Sequence, residues 1–181
     1  MGVPTAILPE GEILRTARMI FVTVGNATQS FPRLLRAMDD LAGNGLNGES
    51  VVMQSGTAEY RAVHCAQRDF FPTEEFVNLI QTARVVVCHG GAGTLHHVFQ
   101  SGKVPVVMPR RMKYREHVDD QFQLVKAIAA AGRIIPAYEP EDLPVALAAA
   151  GELQRSDRPH PPATAVDLVR RAITELCGFP A

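Results

Sequence analysis

Histidines and glycines gather at one point of the chain. His89, Gly90, Gly91, Ala92, Gly93 and Thr94 follow the apolar run Val85–Cys88, and His96 and His97 come after one intervening leucine. A strand that turns through glycines into a helix leaves the first helical N–H groups unpaired and pointing outward. Glycine permits unusual dihedrals and lets a ligand approach the backbone closely. The positive end of the helix dipole favours an anion there, so phosphate oxygens are the natural guest. Thr94 adds a hydroxyl on the first turn. A tight turn with no ligand is the competing reading, and three glycines followed by Thr94 in strand–turn–helix context weigh against it. Helical spacing puts Thr94 and His97 on one face. His96 is rotated away from His97, which disfavours a paired-histidine metal site.

Two better-known phosphate motifs do not fit. A dinucleotide fingerprint follows the first strand, with an acid about 20 residues on. Here the glycines follow a late strand, and Pro109–Met112 offers no acid. A P-loop would continue into Lys–Ser or Lys–Thr, and this turn does not. A second chemical cluster is Arg110, Arg111, Lys113 and Arg115 ahead of Glu116, Asp119 and Asp120. It reads either as a solvated loop and charged helix start, or as a loop that folds over a nucleotide or faces a charged partner.

The elements that must position these residues alternate. Met19–Gly25 is an apolar, β-branched run ending in glycine, a buried strand. The helix that follows places Phe31, Leu34, Leu35, Met38 and Leu41 on one face, with Pro32 in its first turn. "SVVMQSG" is a second strand and Val63–Phe70 a weaker one. A helix follows from Thr73, its expected cap, with Glu74 and Glu75 at its positive end and Phe76, Leu79, Ile80 and Ala83 at helical spacing. Val85–Cys88 suits a parallel strand covered on both faces. The helix after the glycines buries Leu95, Val98 and Phe99 and stops at Gly102. "VPVVMP" is a strand, Glu116–Gly132 a helix, "RIIPA" a short strand and "PEDLPVALAAAGEL" a helix. This order predicts a doubly wound α/β fold with a parallel sheet and ligands at the carboxyl ends of its strands. The loop "VGNATQS" and the loop "HGGAGT" then open on the same edge. The expected divisions are an extension over 1–18, a nucleotide-binding domain over 19–154, a proline-rich connector over 155–163 and a C-terminal helix and tail over 164–181.

Composition limits the function classes. With 46% hydrophobic and 20% charged residues the chain is an ordinary globular protein, and a net charge of -1 argues against a general nucleic-acid binder. No apolar run approaches the roughly 20 residues that cross a bilayer. The first residues lack a basic start, so no secretory signal is expected, and Ala6 breaks the myristoylation pattern. Cys65, Cys88 and Cys177 are too widely spaced for a disulfide framework or metal knuckle and read as free thiols in a reducing cytoplasm.

With both loops in view, the chain resembles the C-terminal domain family of glycosyltransferase family 28, and more narrowly the small catalytic subunits of two-chain transferases. These include the dolichol-linked N-acetylglucosaminyltransferase and bacterial exopolysaccharide types. The resemblance rests on "MIFVTVGNATQSFPRLLRAMD", "ARVVVCHGGAGT" and "GKVPVVMPRRMKYREHVDD", in register from Met19 to about Arg133. It implies the Rossmann-like half of a GT-B enzyme, which binds a nucleotide-sugar, usually a UDP-sugar, as co-substrate with no further cofactor and no required metal. The amides of Gly91, Ala92, Gly93 and Thr94 would cradle the pyrophosphate. Gly25, Asn26, Gln29, His89, Gly90, Arg110, Arg111, Asp120 and Gln121 complete the implied donor-facing set.

By the same resemblance the acceptor, a lipid-linked one, would sit on a separate membrane-associated chain. The protein would be cytoplasmic and peripheral at the membrane through that partner, or a homo-oligomer when isolated. The final helix, Thr164–Cys177, either docks on the partner or packs on its own sheet. Three positions depart from the family pattern. His97 stands where a glutamate is usual, the first loop reads "NATQ" with Gln29 matching and a histidine missing, and "DDQF" displaces Gln121 by one position. His97 is the candidate base for the acceptor hydroxyl, with the partner as the other possible source.

Overall fold

The computed structural model describes residues 18–155 apart from Asn47 and Asp119. The expected extension (bar Arg18), the connector beyond Arg155 and the final helix lie outside the described residues. Six parallel strands form one sheet in the order β3-β2-β1-β4-β5-β6. They are β1 Met19–Thr23, β2 Ser50–Gln54, β3 Ala66–Arg68, β4 Val85–Cys88, β5 Val106–Val107 and β6 Ile135–Pro136. β1 and β4 lie at the centre and are buried along their whole length. That burial explains their unbroken apolar sequence, since each face meets a helical layer.

Alternate residues of β1 face opposite layers. Ile20 and Val22 join Leu34, Leu35 and Met38 of α1 (Pro32–Gly43) and Leu143 and Leu147 of α5 (Leu143–Arg155). Met19 and Phe21 join Leu79 and Ile80 of α2 (Thr73–Thr82), Leu95 and Val98 of α3 (Ala92–Gln100), and Val125 and Ile128 of α4 (Phe122–Ala130). Thr23 pairs with Gln54 on one side and Cys88 on the other. The three strands therefore end level, and the loops that leave them meet at one edge.

The crossover from β2 to β3 runs through residues 55–65 without a helix. Asp39, 2% exposed on α1, fastens it. Its carboxylate accepts from the Tyr60 hydroxyl at 2.7 Å and from the amides of Val63 and His64, each at 2.8 Å. Burial by itself raises the Asp39 pKa, but these hydrogen bonds outweigh it and hold the carboxyl below its ordinary value.

Two local expectations need correction. Thr73 begins α2 but makes no capping bond, because Pro72 occupies the N-cap position. The helix expected from Glu116 starts at Phe122. Met112–Tyr114 form a 3-10 turn instead, and Arg115 takes a left-handed φ of 58°. Glu116 is held inside the loop, accepting from Arg33 Nε at 2.8 Å, Arg33 Nη2 at 3.0 Å and the Arg111 amide at 2.9 Å. Asp120 then accepts from the Phe122 amide at 2.9 Å and opens α4.

Candidate donor-binding cleft

A cleft of about 320 Å³ opens where β1, β2 and β4 end. One wall is the start of α3. Gly91 is its N-cap, with extended backbone and no side-chain cap, and the first i→i−4 bond runs from the Leu95 amide to the Gly91 carbonyl at 3.1 Å. The amides of Ala92, Gly93 and Thr94 precede that bond and have no intrahelical acceptor. Gly91, Gly93, Thr94 and His97 line the cleft on this side.

The opposite rim is the first loop. Gly25, at φ 71°, donates its amide to the Thr23 hydroxyl at 3.1 Å. Gln54 Nε2 donates to that hydroxyl and to Asn26 Oδ1, both at 3.3 Å, while its Oε1 accepts from the Phe71 amide at 3.3 Å. One buried amide thus ties the first loop, β2 and the segment after β3 together. Phe71, Thr73 and Phe76 form the third wall. Phe76 meets the Phe21 ring edge-on at 5.6 Å and the His97 ring at 6.0 Å.

His89 sits between these walls with 7% exposure. Its imidazole packs against both Gly25 and Gly91, so closely that a Cβ on either glycine would collide with the ring. Nδ1 is buried without a hydrogen-bond partner. Burial pushes its pKa down to about 4, and Arg110 and His117 push the same way against the pull of the Thr23 backbone. The ring is therefore neutral near pH 7. Gly90 lies behind it, where a Cβ would come within 2.7 Å of Val125.

Of the residues singled out from sequence, Gly25, Asn26, His89, Gly91, Gly93, Thr94 and His97 converge on the cleft, with Ala92 exposed on the same first turn. Arg110 is a correction: it does not face the cleft but is wholly buried. Its Nη1 donates to the Gln29 carbonyl at 2.7 Å and the Glu116 carbonyl at 2.8 Å, and its Nη2 to the Val24 carbonyl at 2.8 Å. Burial lowers its pKa to about 10 against the opposing pull of Glu116, so it stays charged at neutral pH. It bolts the first loop to the loop after β5.

Gln29 contributes its backbone to that bolt, and the Gln121 side chain accepts from the Arg110 amide at 3.2 Å. Arg111 pairs with Asp120 at 3.1 Å and stacks on Phe122. None of Gln29, Arg111, Asp120 or Gln121 lines the cleft. The run of cations is thus mainly a brace, and the Arg33 pairs with Glu116 and Glu139 extend it to β6.

Residues 19–165 match the model of the Glycosyltransferase family 28 C-terminal domain. The chain belongs to this family. No curated protein sequence matches it. Three solved glycosyltransferases share the fold of this family 28 domain. The glycotransferase of kitacinnamycin is 20% identical with a TM-score of 0.60, covering 92% of this chain and 42% of its own. CalG4, the calicheamicin glycosyltransferase, is 16% identical with a TM-score of 0.53, covering 89% and 39%. SnogD from Streptomyces nogalater is 22% identical with a TM-score of 0.52, covering 94% and 48%. The chain spans less than half the length of each. Its sheet and helices are those of the Rossmann-like half of a GT-B glycosyltransferase. Among the described residues no helix is long and apolar enough to cross a membrane.

Sequence reasoning missed Gln54, Phe71 and Thr73 as cleft residues and placed Phe76 only in the core. A signal existed for Gln54, the polar residue that closes an apolar strand level with Thr23. Phe71 and Phe76 gave none, because an aromatic residue that lines a cleft and one that fills a core look alike in sequence.

Proposed function

We propose that this family 28 domain is the donor-binding subunit of a glycosyltransferase. It holds a UDP-sugar and, with a membrane-associated acceptor-binding partner, transfers the sugar to a lipid-linked acceptor in polysaccharide or glycolipid assembly. The observation that carries the reading is the start of α3, where unpaired amides and His89, its Nδ1 without a partner, converge on one cleft. A helix N-terminus with close backbone access suits a diphosphate. As the glycosidic bond breaks, charge grows on the leaving diphosphate, and donors fixed in advance at that point stabilise it. The aromatic wall of Phe71 and Phe76 suits the flat face of a base. His97, on the same face as Thr94, is the candidate group to take the acceptor's proton.

Titration of the chain, alone and with its partner, against UDP and UDP-sugars tests this. Binding is expected in at least one form, and its absence in both refutes the reading. A second reading, a non-catalytic nucleotide-sugar-binding module, draws on the lack of any carboxylate among the described residues lining the cleft. Donor capture with partner and acceptor present, but no transfer or hydrolysis, would favour it.

A further inference from the structure

We propose that capture of the diphosphate charges His89: the imidazole takes a proton from solvent as the anion enters and supplies a cation that the other described residues lining the cleft do not. This presupposes a nucleoside diphosphate in the cleft, and adds where the balancing charge comes from.

The described residues lining the cleft include no lysine or arginine. Arg110, the buried cation that acts on His89, has both terminal nitrogens bonded to backbone carbonyls of the loops it joins. A diphosphate bears a negative charge on each phosphate, and burying it beside neutral groups alone is costly. Two imidazoles face the space, and His89 is the deeper, wedged between Gly25 of the first loop and Gly91 at the start of α3. Its Nδ1 lacks a partner in a structure where buried polar atoms are otherwise bonded, Arg110 Nε being the other exception among the described residues. Protonation turns both ring nitrogens into donors.

In the empty cleft every charged neighbour opposes that step. Arg110 and His117 press from the loop after β5, and the positive end of α3 lies beside the ring; only the Thr23 backbone of β1 favours it. An anion at the α3 N-terminus reverses this balance. A charge a few ångströms away in a poorly screened site is enough to raise the ring's proton affinity about a thousandfold. The ring is then neutral when the cleft is empty and, when it is full, about half charged at pH 7 and almost wholly charged one unit lower.

The test is NMR of the full chain with isotope-labelled histidine, titrated with UDP near neutral pH, alongside calorimetry in buffers of different ionisation heat. The His89 resonances are identified by their loss in His89→Gln, or by contacts to the Gly25 and Gly91 α-protons should that variant fail to fold. The expected result is a shift from imidazole toward imidazolium on saturation, with roughly half a proton absorbed per UDP near pH 7 and close to one near pH 6, in excess of the His89→Gln value. Affinity should also weaken by up to about tenfold per pH unit as that proton becomes scarce. UDP saturation with the ring still neutral overturns this inference and leaves the donor reading standing. Failure of UDP to bind, to the chain alone and to the chain with its partner, overturns both.

Discussion

Replacing Gly91 by alanine isolates the wedge that holds the cleft together. The Gly91 backbone is extended, φ −76° and ψ 129°, a conformation any L-residue adopts. Strain in the main chain is therefore not at issue. What Gly91→Ala adds is one methyl group aimed at the His89 imidazole. The ring cannot simply retreat, because Gly25 closes its other side. Inserting a methyl into a packed site of this kind costs about 1–3 kcal/mol. For a domain of this size that lowers Tm by on the order of 5 °C. Thermal unfolding of Gly91→Ala, His89→Ala and the double variant completes a cycle. Removing the ring removes the collision, so the double variant should be more stable than the sum of the singles by about 1–3 kcal/mol. A Gly91→Ala protein that melts with the wild type, or a cycle that closes additively, would refute the packing argument.

Gly93→Ala should behave differently, because among the described residues nothing lies within 4 Å of where its Cβ would stand. Tm should hold or rise slightly, since alanine favours the helix by up to about 1 kcal/mol, while UDP affinity measured by calorimetry falls because the methyl stands in the cleft. Arg110→Met should cost about 3–5 kcal/mol in urea unfolding, since it strands the carbonyls of Val24, Gln29 and Glu116. The pH dependence of stability should carry the mark of Asp39. Its folded pKa lies below the unfolded 3.8, so the unfolded chain binds the proton first and stability is lost as pH falls through the folded value. Asp39→Asn should be less stable at pH 7 and show a shallower acid decline in denaturant titrations from about pH 6 to 2.

Much of the fold is legible in the sequence because the signals are local. Val85–Cys88 reads as a strand covered on both faces, and it is. The helix after the glycines begins and ends within a residue or two of expectation, since Gly91 and Gly102 mark the change of backbone. The placement of the two loops on one edge follows from parallel topology alone. Legibility fails for Arg110. Four cations within six residues look solvated, yet Arg110 finds its acceptors on carbonyls 81 and 86 residues earlier in the chain. Glu116 misleads for the same reason: its partner Arg33 lies 83 residues away, and that pair turns an expected helix start into a loop.

The residues by themselves determine an alternating α/β chain and one strand-to-helix turn whose free amides favour an anion, because hydrophobic period, glycine and the helix dipole act over a few neighbouring positions. The tertiary structure decides which polar side chains line the cleft at that turn. Strands β1, β2 and β4 must end level before Gln54 and His89 share a cleft, and a charge can be buried only where distant backbone oxygens already converge. Those conditions belong to the register of the sheet, so only the assembled sheet assigns His89 to the cleft and Arg110 to the frame beneath it.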